Sequence, residues 1–168
     1  MMATTTIDNE QTDDGDPVSV LLVGNNPITL GKVYKNLMGI KGYKLMVDFC
    51  FDCKKSVMSA LRIQPSIIFL DDNLNKKFIR RFIAQINRNK KTKDIHITLL
   101  KSSNYKEVIA SGVQDFLLKD SITSDRLYHA LRNASNFKRT ARLLKIASLK
   151  RKHQIDNWFN SLKQVVGQ

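Results

Sequence analysis

Asp71 and Asp72 close the apolar stretch "PSIIFLDDN" (residues 65–73), where a buried strand should leave the core. A carboxylate in that position has three options. It can attack a phosphoryl group as a nucleophile, ligate a divalent cation, or end the strand in water. Lys119 in "FLLKD" and Lys101, Ser102 and Ser103 in "LLKSS" are the cations and hydroxyls that such a carboxylate would use. Cys50 and Cys53 form a CxxC, but a structural zinc site takes about four ligands and no second pair or nearby histidine completes one. They read as ordinary reduced thiols near a strand–helix junction. His96, His129 and His153 are scattered and read as structural or surface residues. Gly24 stands alone in its turn, so there is no glycine-rich phosphate loop. No catalytic constellation emerges, and an enzyme is not expected.

The elements that must position these residues alternate regularly. "VSVLLVG" (18–24) is a continuous apolar run ended by Asn-Asn-Pro, which predicts a buried strand and a loop. In "ITLGKVYKNLMGIKG", Leu30, Val33, Leu37 and Ile40 fall at helical spacing, with Gly42 as the expected stop. "YKLMVDFC" is the second strand and "KKSVMSALRIQ" a short amphipathic helix before Pro65. "SIIFL" is the third strand, apolar on both faces. "KFIRRFIAQINRN" puts Phe78, Phe82, Ile83 and Ile86 on one helical face. "IHITLLKSS", "NYKEVIASG" and "VQDFLLKD" continue as strand, helix and strand, and a last helix starts near Thr123 or Ser124 as N-cap. Five strands alternating with five helices predict an α/β fold: a five-stranded parallel, doubly wound sheet with right-handed crossovers. Functional groups in such sheets gather beyond the C-terminal ends of the strands. Gly24, Asn25, Asp71, Asp72, Asn73, Lys101, Ser102 and Lys119 all fall there.

The 168 residues suit one domain with an extension, and no apolar run approaches the ~18 residues of a membrane span. No apolar leader marks export, so the expected location is cytoplasmic. The formal charge of +13 is uneven. Residues 126–168 hold ten Lys or Arg and one acidic residue, Asp156, whereas residues 1–16 hold five acidic residues and no basic one. The expected organisation is a disordered acidic leader over 1–16, a domain over 17–133 and a basic helical extension over 134–168. Heptads counted from Leu127 place apolar residues at ten of twelve a and d positions, with Ser148 and Arg151 as the exceptions. That pattern predicts a long helix with a seam for a partner helix, or two helices broken near residues 148–153. The basic residues read as a solvated face, with a protein partner, nucleic acid or an anionic membrane surface as sharper alternatives.

From about Val18 to about Asn133 the chain resembles the two-component response-regulator receiver domain, a flavodoxin-like phosphoacceptor module. "PSIIFLD" is similar to the family's Pro-Asp-Leu-Ile-Leu-Leu-Asp strand, and "ASGVQDFLLKD" to its Ala-Gly-Ala-x-x-Tyr-Leu-x-Lys-Pro segment. The resemblance implies strand order 2-1-3-4-5, a phosphoacceptor position at Asp71, the invariant lysine at Lys119 and the switch aromatic at Phe116. It also exposes departures. Gly24 and Asn25 stand where the family has two acidic residues that hold Mg²⁺. Lys101 stands where it has Thr or Ser, with Ser102 one position on, and Asp120 replaces its proline. No cofactor is therefore expected, or at most weakly held Mg²⁺ on Asp71 and the Asn73 backbone. Asp72 is expected to face away from the site, because successive strand residues point to opposite sides. Lys119 is expected to pair with Asp71, while Lys101 either joins it or stays in solvent.

Asp71 is left with three readings: a working phosphoacceptor, a silent site, or a plain strand end. The resemblance favours an atypical receiver acting as a signalling and protein-interaction module without Mg²⁺-dependent phosphorylation. Its partner would be a histidine kinase or another regulator, and a homodimer is expected through the tail or the last receiver helices. The alternatives are a receiver phosphorylated on Asp71 in a phosphorelay, and a small nucleic-acid-binding regulator using the basic C-terminal helix.

Overall fold

A computed structural model describes residues 17–102 and 112–167. The acidic leader and residues 104–111 of the helix expected over 104–112 lie outside the described residues. Five strands, β1 (Val18–Val23), β2 (Leu45–Cys50), β3 (Ile67–Asp71), β4 (His96–Lys101) and β5 (Asp115–Leu118), form one sheet in the order β2-β1-β3-β4-β5. All four pairings are parallel. The order matches the one the resemblance implies.

Alternation along the strands builds two cores, one on each side of the sheet. Leu21, Val23, Ile68, Leu70, Ile97 and Leu99 face helices α2 (Ser56–Ile63) and α3 (Lys76–Arg88). Val20, Leu22, Ile67, Phe69 and Leu100 face α1 (Pro27–Met38) and α4 (Ser124–Val166). On α3 the buried stripe is Ile79, Phe82, Ile83 and Ile86. Phe78 only packs against its rim, so the stripe sits one position away from the expected start.

Helix ends follow local chemistry. Asn26 caps α1 by accepting from the Ile28 and Thr29 N–H groups, and Pro27 occupies the first turn, where its missing N–H costs nothing. The helix stops at Gly39, short of the expected Gly42, which instead takes a positive φ of 83° in the following turn. Thr123 caps α4 by accepting from the Arg126 N–H, while the Ser124 hydroxyl donates to the Asn36 carbonyl of α1. Leu127, Ala130, Leu131 and Ala134 bury the start of α4. The 43-residue helix then runs on unbroken through residues 148–153. No helix among the described residues is long and apolar enough to cross a membrane.

Candidate functional site

The C-terminal edge of the sheet brings together the ends of β1, β3, β4 and β5. Asp71 is the last residue of β3 and its side chain is fully buried (0% exposed). One oxygen, Oδ1, accepts from the Asn73 N–H at 3.0 Å and from the Lys119 ammonium at 2.5 Å. The other, Oδ2, has no hydrogen-bond partner among the described residues. Gly24, buried at the end of β1, explains how that oxygen is enclosed. A Cβ there would sit 2.8 Å from Asp71 Cβ and 3.3 Å from Oδ2, so a larger residue would force the two strand ends to shift apart.

Asp72 corrects the sequence reading. Its carboxylate turns into the site rather than away. Oδ1 accepts from Lys119 at 2.6 Å and from the Ser102 hydroxyl at 2.9 Å, and Oδ2 accepts from the Ser102 N–H at 2.8 Å. The reason is local: β3 ends at Asp71, and strand alternation does not extend into the turn that follows. The adjacency of Asp72 to the strand terminus was the available signal.

Lys119 thus spans both carboxylates and also donates to Ser102 Oγ at 3.0 Å. Its side chain is 13% exposed. Burial works against its charge, yet the bonds to Asp71 and Asp72 outweigh that and hold its pKa above the usual lysine value. Burial likewise works to raise Asp72, but the Lys119 and Ser102 hydrogen bonds prevail and its pKa lies below the ordinary carboxylate value. The Lys32 ammonium, from α1, donates to the Lys119 carbonyl at 3.1 Å.

The remaining sequence candidates sit around this centre. Asn25 is exposed beyond β1. Asn73 contributes its N–H to Asp71, and its side-chain oxygen lies 3.3 Å from the Ser102 hydroxyl. Ser102, one position past Lys101, brings its hydroxyl to Asp72. The Lys101 ammonium lies 5.3 Å from the centroid of the Phe116 ring, a cation–π distance, and Phe116 is 55% exposed at the sheet edge. Ser103 lies outside the described residues. Cys50 is buried and Cys53 half-buried, both as free thiols, and burial first, then Asp52 nearby, pushes the Cys53 thiol up. An upward shift disfavours the reactive thiolate.

The same arrangement of strands and helices recurs in solved response regulators. The receiver domain of a Pseudomonas aeruginosa sensor histidine kinase, determined with a magnesium ion in its active-site cleft, matches with a TM-score of 0.58 at 19% identity. That match covers 70% of this chain and 97% of the other. The chemotaxis response regulator CheY4 of Vibrio cholerae matches at 0.58 and 20% identity, over 71% and 99% of the two chains. The manganese-bound response regulator Rcp1 matches at 0.54 and 26% identity, over 68% and 90%. No protein-family model and no curated protein sequence matches the chain. The chain thus has the receiver fold of response regulators, with a long C-terminal helix added to it.

Proposed function

We propose that this protein is a receiver-type signalling module that works through protein contacts, without Mg²⁺-dependent phosphorylation of Asp71. The observation that carries the reading is the end of β1, where Gly24 and Asn25 bring no carboxylate to Asp71, while the Lys119 ammonium engages both carboxylates of the site. A cation already sits where negative charge would otherwise recruit a metal. The donors open to a divalent cation would be Asp71, Asp72 and the Asn73 carbonyl. Both carboxylates are committed to Lys119, and Gly24, packed against Asp71, supplies no further acidic side chain from the end of β1. Mg²⁺ favours carboxylates and water in a near-octahedral set, and these residues do not fit such a centre.

A second reading, phosphorylation of Asp71, draws on one observation: Oδ2 beside Gly24 has no hydrogen-bond partner among the described residues. That oxygen would attack phosphorus as the donor's leaving group departs, with Lys119 and the Ser102 hydroxyl near the incoming oxygens. Incubation with a small acyl phosphate and Mg²⁺, followed by intact-mass measurement, separates the two. The expected result is an unchanged mass. A phosphoryl adduct that disappears in Asp71→Ala would overturn the proposal.

The module self-associates, on this reading, through the outer part of α4. Ile155, Trp158, Leu162 and Val165 remain exposed there at a and d spacing, Trp158 by 61%. A second copy offers the same apolar stripe in register, which is the occupant a heptad pattern specifies. The external partner is a histidine kinase or another regulator, since one structural neighbour is itself the receiver of a sensor kinase.

A further inference from the structure

The opposite edge of the sheet, where the strands begin, carries a second feature that the receiver site does not use. A cleft of about 290 Å³ opens between α4 and the loop joining α3 to β4. Lys91 lines it from the loop, Lys138, Arg142 and Lys145 from α4, and Asp94 is its single acidic wall residue. Arg88 and Lys90 extend the positive surface along the loop, and Lys93 faces the adjoining cavity. Among the described residues, no carboxylate forms an ion pair with any of the four lining cations. Cations converging across a cleft repel one another, and an anionic occupant would relieve that cost.

The chain supplies such an occupant. Residues 1–16 carry Asp8, Glu10, Asp13, Asp14 and Asp16 with no Lys or Arg. They enter the domain at Pro17, immediately before β1. The Ser19 carbonyl accepts from the Ser66 N–H at 2.8 Å, and the residues just before Ser66, Gln64 and Pro65, form one wall of the cleft. The acidic segment therefore joins the fold beside the cleft. At about 3.3 Å per residue, sixteen residues can reach on the order of 50 Å. A short tether gives an effective local concentration in the millimolar range.

We propose that residues 1–16 dock in the basic cleft between α4 and the α3–β4 loop of their own chain, and so shield that surface from external polyanions. The contact is electrostatic, weakens with salt, and leaves the Asp71 edge open.

Zero-length carbodiimide coupling of the full chain, with peptide mapping, reads the contact directly. Unlabelled protein mixed with its ¹⁵N-labelled form identifies which copy each bond joins. Cross-links from the five carboxylates to Lys91, Lys138 and Lys145 within one copy are expected. Their absence, their even spread to Lys54 and Lys55 on the far side, or bonds joining different copies would each overturn the proposal. A second reading uses a variant with all five neutralised (D8N, E10Q, D13N, D14N, D16N), which leaves the folded core untouched. Its affinity for a short DNA duplex at low salt should rise about tenfold, with the gap closing as salt is added. Equal affinity of the two proteins would show that the segment shields nothing.

Discussion

Lys119 is the residue on which the site's stability turns. It lies between a fully buried carboxylate and a second one beside it, so its loss would leave two negative groups facing each other without a counter-charge. Removing one partner of a buried pair is far costlier than the pair is worth. Lys119→Met should lower unfolding free energy by about 3 kcal/mol, and adding Asp71→Asn should recover part of that, as denaturant melts would report. Gly24 makes a complementary test. A Cβ added there would lie so close to Asp71 that Gly24→Ala should cost about 1–3 kcal/mol by overpacking, with the sheet otherwise intact. An unchanged midpoint for Gly24→Ala would mean that the strand ends separate freely.

α4 divides its heptad pattern between two tasks. Leu127, Ala130 and Ala134 pack into the core shared with α1 and the sheet, and Phe137 stacks edge-on against His96 of β4 at 5.7 Å. From Leu144 onward the same spacing continues without cover. The seam anticipated from the heptads is thus half consumed within the chain, and only its outer half is open to a partner. Two substitutions there, Ile155→Glu and Leu162→Glu, should convert a dimer to a monomer in sedimentation without altering the melting of the core. A wild-type protein that is already monomeric at high concentration would remove the self-association reading. The unbroken path through residues 148–153 has a simple cause: Ser148, Arg151 and His153 interrupt the apolar seam, but a lost seam position does not break a backbone hydrogen-bond ladder.

At the scale of the whole molecule, pH links the two ends of the sheet. His96 is 4% exposed at the start of β4, and neither ring nitrogen has a hydrogen-bond partner among the described residues. Burial holds its pKa below the ordinary value, although Asp115 pulls the other way. The unfolded chain therefore takes up a proton near pH 6.5 that the native state resists, and stability falls as pH drops below that point. At the other edge Asp72, with its depressed pKa, contributes stability that is lost only in stronger acid, below the ordinary carboxylate value of about 4. Thermal melts from pH 8 to 3 should show two steps of loss. His96→Phe should flatten the upper step and leave the lower one. Lys119, with a raised pKa, adds stability that fades only in strong alkali.

The sequence by itself determined the order of elements, the parallel sheet and the edge on which Asp71 and Lys119 meet. Periodicity, Gly and Pro placement and the short connections leave little freedom in these. Finer questions depended on where strands stop and how closely they approach. Asp72 turned inward because β3 ended one residue earlier. The Ser102 hydroxyl reaches it, and Gly24 abuts Asp71, facts set by register between strands far apart in sequence. The basic cleft is the clearest case. Its cations come from the α3–β4 loop and from α4, and only the packing of that helix along the sheet makes them face one another. Local pattern records which way a side chain faces within its own element. What it meets across the fold is a property of the tertiary structure, because long-range contacts carry no trace in nearest-neighbour spacing.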